Sequence, residues 1–413
     1  MNIVRHQLVA AAAIILSVTP LSTLAEEDSP TLTDAVVSGD ANLNLRYRYE
    51  FVDQDGIGEN ANASTLRIRL NYKTGQWANM SGFVEMDYVG ELLVNDFNSG
   101  QGTSSLDRAQ YPVVADPKGA DLNQLYVDYA ASPDLSLRFG RQRILLDDQR
   151  FVGGVGWRQN EQTYDGASLK FKGWSNTKVS YSYVGNVNRI FGDTVKAGDH
   201  NVDAHLVNVK IGFFQDWSVT PYFYYIDNDD AAANSTSTLG ARLAGKMALS
   251  AGSLSLVAEL ATQSDAADAP VDYDARYIHA VANWSMSNGL SLGVGLESLG
   301  GDGNSAGMAF RTPFATLHAF QGWADKFLAT PAAGINDVYL TAKFSVGPWK
   351  LQFIYHDFSA ESGSDDFGTE LDLSAGRKLG DRYGLLLKAA FFNSDNDGYA
   401  DTNKIWLMLT AGF

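Results

Sequence analysis

The sequence predicts an all-β fold, a single eighteen-stranded antiparallel transmembrane β-barrel with short periplasmic turns and long extracellular loops. Three observations predict it. Segments of strand length alternate apolar and polar residues from Leu43 to Phe413, the period-two pattern of a strand with two unlike faces. The connections between those segments alternate short and long, as outer-membrane barrels require. No segment supplies the roughly 20 consecutive apolar residues of a membrane helix.

The chain opens "MNIVRHQLVAAAAIILSVTPLSTLAEE". Arg5, the apolar run Leu8–Val18 and the small-residue site Thr23-Leu24-Ala25 make a secretory signal peptide over residues 1–25. A periplasmic lead (26–38) and the barrel (39–413) follow. Cysteine is absent and the formal net charge is −17. Stability must therefore come from closed hydrogen bonding rather than disulfides, and nucleic acid is excluded as a partner.

The first strand, "LNLRYRYEF", sets Leu43, Leu45, Tyr47, Tyr49 and Phe51 on one face and Asn44, Arg46, Arg48 and Glu50 on the other. In a membrane barrel the first face meets lipid and the second lines a water-filled lumen. "TLRIRLNY" repeats the pattern with Arg67 and Arg69 inward, and Lys73 opens the turn "KTGQWAN". The rhythm continues through "FVEMDYV", "NQLYVDY", "LSLRFGRQ" and "KVSYSYV" to "KIWLMLTAGF". Eighteen strands, eight short turns and nine longer loops result. Outward aromatics such as Tyr88, Tyr183 and Tyr355 suit interfacial girdles. The strand ending on Phe413 resembles the C-terminal signal read by the barrel-assembly machinery.

Three strings carry a family resemblance: "GRQRILLDDQRFVGGVGWRQNEQTYDG", "FATLHAFQGWADKFLATPAAGINDVY" and "YHDF…FGTELDL". They resemble the alginate-export porin family over nearly the whole mature chain. The resemblance implies a monomeric channel in the Gram-negative outer membrane, whose luminal arginines attract an acidic, uronate-type oligo- or polysaccharide.

The residues themselves give a parallel reading. Arg46, Arg48, Arg67 and Arg69 form a four-arginine patch if the first two strands pair in register, and Arg138, Lys170, Lys178, Lys210, Arg242, Lys343 and Lys388 also fall on inward positions. The guanidinium fork matches a carboxylate, so such a ladder suits successive uronates. Inward Glu50, Glu85, Asp87, Asp128, Glu259, Glu297, Glu370 and Asp372 offer the competing use, cross-strand bracing. The segments after "LRFG" and "LESLGG", too long for simple connectors, carry Arg141, Arg143, Arg150, Trp157 and Arg158, and His318, Trp323 and Asp325. Loops of that length are candidates to fold inward as a constriction or to pack as an external cap.

"DQDGIGEN" and "DNDGYADTN", with Asp53, Asp55, Asp395 and Asp397, resemble calcium loops without the closing Glu; turns are the simpler reading and structural calcium the alternative. Surplus acid in the loops can meet lipopolysaccharide through divalent cations. No cofactor and no enzymatic site are expected, because His356-Asp357 point to opposite faces and no paired-histidine metal motif occurs. The competing functions are a porin for small, including anionic, solutes and a closed surface barrel with an adhesive or structural role.

Overall fold

The computed structural model describes residues 31–101, 108–303 and 305–413. The leader over 1–25 and the start of the lead fall outside these residues. Within the lead a short helix, α1 (Leu32–Val37), forms where the strand pattern gives no warning of one. A capping box makes it: Asp34 N–H donates to Thr31 Oγ1 at 3.2 Å and Thr31 N–H to Asp34 Oδ2 at 2.8 Å, satisfying donors that a helix start leaves open. Gly75 N–H donates to the Ala35 carbonyl at 2.8 Å and ties α1 to the connection after the second strand.

Eighteen strands follow: β1 (Asp40–Gln54), β2 (Ala61–Lys73), β3 (Met80–Asp96), β4 (Gly119–Ser132), β5 (Leu135–Gln142), β6 (Thr163–Phe171), β7 (Thr177–Asn188), β8 (Asp199–Phe214) and β9 (Trp217–Asn228). The second half comprises β10 (Thr236–Leu249), β11 (Gly252–Asp265), β12 (Asp274–Met286), β13 (Ser291–Leu299), β14 (Ile335–Val346), β15 (Trp349–Ser359), β16 (Asp366–Leu379), β17 (Tyr383–Ser394) and β18 (Thr402–Gly412). Each pairs antiparallel with the next, and β1 also pairs with β18, Arg46 opposite Thr410. The sheet therefore closes and leaves no edge, the only way strands can span hydrocarbon. At one end the connections are short, as at 133–134, 215–216, 250–251 and 347–348; at the other lie 97–118, 143–162 and 300–334.

Two boundaries differ from the sequence reading. Lys73 is the last residue of β2, opposite Asp40 and Phe83, so it belongs to the wall and not to the turn. Arg141 lies within β5, opposite Leu125 and Asp165. Gly140, at φ 120°, lets that ladder continue where a Cβ would run into the Leu125 carbonyl.

Alternation sorts the wall into two faces. Leu239, Leu260 and Leu340 point outward and are more than half exposed, which lipid turns from a liability into a requirement. Arg46, Arg48 and Glu50 point inward and are buried, although an open lumen would leave them in water. What buries them is the chain itself. The 143–162 and 300–334 loops turn back into the barrel and meet at a parallel bridge between Val152 and Phe314. Phe151 packs on Tyr222, Tyr277 and Phe310 of wall and loop, with ring centroids 5.3, 5.1 and 5.9 Å away. Phe327 sits against Phe358 at 4.7 Å and Phe392 at 5.9 Å. Each buried aromatic contributes about 1.5–3 kcal/mol, and this interior core holds the loops in the lumen.

The two-faced wall makes a direct prediction. Leu260→Arg, near the middle of β11 on the lipid face, should cost about 2–4 kcal/mol of folding stability in urea titrations in lipid vesicles. Lys246→Ala, on the luminal face of β10, should cost less than about 0.5 kcal/mol.

Candidate functional site

Register builds the arginine patch. Arg46 stands directly opposite Arg67, with Arg48 opposite Thr65 and Arg69 opposite Asn44, so four guanidiniums cluster on adjacent inward positions. Most of their donors are taken, although Nε of Arg48 and of Arg67 is buried without a partner. Arg46 donates to Gln159 Oε1 at 2.9 Å, to the Gly156 carbonyl at 2.9 Å and to the Arg158 carbonyl. Arg48 forks onto the Trp157 carbonyl at 2.7 and 2.6 Å, pairs with Asp116 at 3.2 Å, and lies 4.3 Å from the Trp157 ring. Arg67 reaches the Gln159 carbonyl and Asn44 Oδ1. Arg69 grips Asp87 with both prongs at 2.7 and 2.6 Å and Glu161 at 2.7 Å. The patch therefore clasps the 143–162 loop, and most of its partners are loop carbonyls and carboxylates.

The remaining loop cations dock the same loop elsewhere. Arg143 bridges Glu85 at 2.5 Å and Glu161. Burial would raise the Glu161 carboxyl, but Arg69 and Arg143 outweigh it and hold the group down at about 2. Arg150 pairs with Glu297 at 2.5 Å, and Gln321 accepts from it at 3.0 Å. Arg242 joins Asp148 at 2.7 Å to Glu259 at 2.5 Å. Arg138 forks onto Asp128 at 2.7 and 2.9 Å over the Tyr126 ring, and Arg141 onto Asp165 at 2.8 and 3.0 Å. These last two brace strands and make no contact with the inner loops' ion pairs.

The two loops lock together around Asp325. It accepts from His318 Nδ1–H at 2.7 Å, pairs with Arg158 at 3.0 Å and accepts from Lys404 at 2.7 Å; Arg158 reaches on to Glu50 of β1 at 3.0 Å. On the other ring edge, Lys388 of β17 donates to His318 Nε2 at 2.7 Å. A ring nitrogen that accepts from an ammonium carries no proton, so these partners select neutral His318 with its proton on Nδ1. Electrostatics agree. Burial pushes the imidazole well below its ordinary value and Lys388 adds to this, while Asp325 opposes both. For Asp325 burial acts upward, but His318 and Lys404 hold its carboxyl well below the usual range. Trp157 stacks on His318 at 4.8 Å, and Lys388 lies 4.2 Å from the Trp157 ring and 3.6 Å from that of Trp323. The backbone N–H groups of Trp323 and Ala324 donate to Asp372 at 3.2 Å and Glu370 at 2.7 Å. Gly322, at φ 80°, allows that approach, since a Cβ there would meet the Glu370 carboxylate.

The sequence points to most of the charged participants and, through the motif of His318, Trp323 and Asp325, to Gly322, but not to Asp116, Gln159, Glu161 or Lys404, which no spacing distinguishes. Asp53 and Asp55 lie beside the 395–401 loop, with Asp55 N–H donating to the Asp401 carbonyl at 3.0 Å.

Space is left open at both ends: a cavity of about 320 Å³ lies among the long loops beside Arg189, Arg311 and Leu328, and another lies toward the short-turn end. A cavity of about 240 Å³ is lined there by Lys73, Asp128, Arg138, Arg143, Leu145 and Lys170, among others. The luminal faces around that end carry further lysines. Lys178 of β7 stands directly opposite Lys210 of β8, and Lys246, Lys343, Lys350 and Lys378 share the inward faces of β10, β14, β15 and β16 with Arg242, Asp337, His356 and Asp372. These six lysines, with Lys73 and Lys170, are exposed, and among the described residues none of the eight lies within ion-pair distance of a carboxylate.

A profile of alginate export proteins matches residues 39–282. The chain belongs to that family. Its fold is shared with outer-membrane porins of Pseudomonas aeruginosa: OccK3 (OpdO), with TM-score 0.69 at 14% identity over 92% of this chain and 97% of that one, and OccK9 (OpdG), 0.69 at 15% over 92% and 100%. OpdK, solved with vanillate, gives 0.69 at 12% over 92% and 99%. A search of curated protein sequences finds no match. Family and fold together make this alginate-export relative an outer-membrane channel of a Gram-negative bacterium.

The latch yields a pH prediction. Because the folded state favours neutral His318, its contribution is complete above the ordinary histidine value near 6.5 and is lost as pH falls below it, where the unfolded or undocked chain binds the extra proton. Single-channel current should grow larger and noisier between pH 7.5 and 5. His318→Gln, which cannot titrate, should flatten that response, and an equal response in both proteins would contradict the latch.

Proposed function

We propose that the channel passively conducts anionic solutes gathered at its short-turn, periplasmic mouth. The observation that carries this reading is the set of unpaired luminal lysines. Like charges placed directly across a ladder repel, so Lys178 opposite Lys210 is a cost to folding that an anionic ligand would relieve. At the opposite end Asp203, Asp229, Asp268, Asp365 and Asp397 are exposed. Exposed acids also sit in the short turns, at Asp134, Asp216 and Asp381, but the luminal wall of that mouth carries the unpaired lysines. A focused positive field there raises the local concentration of anions and favours their passage.

The acidic oligo- or polysaccharide suggested by the family remains the first substrate, threaded as a single extended chain. A second reading, small carboxylates, is favoured by the packed interior: two loops fill the lumen and leave cavities of small-solute size. The vanillate held by OpdK is a solute of that kind. Passage needs no catalytic step, and calcium at Asp53, Asp55, Asp395 and Asp397 would serve the loop surface, not transport.

Planar-bilayer recordings test the proposal. Lys178→Glu with Lys210→Glu should reduce anion-over-cation preference at least about threefold in a low-salt gradient, where screening is weak. An unchanged reversal potential contradicts the lysine mouth. Block by polyuronate but not by glucuronate supports the first substrate, the converse supports the second, and a barrel that never conducts removes both.

A further inference from the structure

We propose that the lumen wall carries a site for a divalent transition metal, formed by Asp148 of the 143–162 loop, Glu259 of β11 and His279 of β12. Glu259 and His279 stand directly opposite each other across the β11–β12 ladder, and the loop brings Asp148 to them. A ring nitrogen of the histidine and one oxygen from each carboxylate all lie within 4.8 Å of one another, a span a single cation can close.

The histidine points to a ligand independently of the acids. His279 is 6% exposed; its Nε2 meets the Tyr339 hydroxyl at 3.0 Å, while Nδ1 is buried with no partner. A buried ring nitrogen without a hydrogen bond is uncommon. When Nε2–H donates to Tyr339, Nδ1 holds a lone pair, and metal-binding histidines are held in this way, one nitrogen on the metal and the other fixed by an outer partner.

Charge favours a cation. Asp147, Asp148 and Glu259 surround one guanidinium, that of Arg242, which uses a single nitrogen to touch one oxygen of each of the latter two. Asp147 accepts only from neutral Asn208, at 2.7 Å. Only Arg242 among the cations bonds these carboxylates, with Lys210 acting on Asp147 from farther off. Asp148 Oδ1, which Arg242 leaves, accepts only the Arg150 N–H, at 3.3 Å, and a carboxylate oxygen keeps a further lone pair for a divalent ion. One imidazole and two carboxylates with an open position suit Zn²⁺ or Cu²⁺ better than the all-oxygen preference of Ca²⁺ or Mg²⁺. Such an ion would pin the loop to the wall beside the conduction path.

The test uses the full chain folded in detergent and metal alone. Calorimetric titration with Zn²⁺ should show one saturable equivalent, and Cu²⁺ bound at the same site should show coupling to one nitrogen by electron paramagnetic resonance. His279→Ala should abolish both, and Tyr339→Phe should weaken binding about 10–100-fold. His205→Ala, at a half-buried histidine on β8, should leave both intact. If His279→Ala does not fold, Asp148→Asn on the loop replaces it with the same expectation. No saturable binding, or binding that survives loss of His279 or Asp148 unchanged, overturns the site. The readout is independent of whether the channel conducts anions.

Discussion

Buried guanidiniums must find partners, and the interior of this barrel is arranged around that demand. Arg48 and Arg150 are almost wholly removed from solvent, where a charge stripped of partners costs several kcal/mol. Wall carboxylates meet Arg69 and Arg150, whereas Arg46 and Arg48 turn to the loops, because most strand carbonyls are committed to the ladder. Loop carbonyls are not, and those of Gly156, Trp157, Arg158 and Gln159 turn toward Arg46, Arg48 and Arg67. The loop is held in one position because its backbone completes the hydrogen bonding of the wall. The aromatic core beneath it supplies the favourable burial, and the ion pairs supply the register.

That arrangement separates two roles that cationic side chains can play in a pore. The inner arginines spend most of their donors on the loops and act as anchors, so little of their charge is offered to a passing solute. The lysines at the short-turn end have no such partners and face open space. A lysine suits this second role, since its ammonium is a mobile point charge, whereas the arginine fork rewards fixed, planar partners. The path thus has a basic, adaptable mouth and a rigid, internally neutralised waist.

Much of the fold was legible because barrel strands repeat one rule. Arg46, Arg48, Arg67 and Arg69 were placed on the inward face by alternation alone, and the alternation of turns and loops gave the strand number. α1 escaped because it depends on a local capping box at Thr31 and Asp34, not on any long period. Lys73 was misplaced because a polar residue after a strand looks like a turn until its ladder partner is known. The waist was the least legible part. His318, Asp325, Arg158 and Lys388 could each be named, but their meeting depends on two loops folding inward, and loop paths leave no periodic trace in sequence. Asp116 and Gln159 had no trace at all, since an aspartate before a proline and a loop glutamine are ordinary surface residues until the fold buries them.

Replacing Arg46 and Arg48 together by glutamine tests most directly whether the inner arginines anchor or attract. Both substitutions keep a polar side chain and remove the forks that hold residues 156–159. In planar bilayers the anchoring account predicts a larger and noisier single-channel current with anion preference largely retained. A quiet current of unchanged size with anion preference lost would contradict it, and would make these arginines the selectivity element instead.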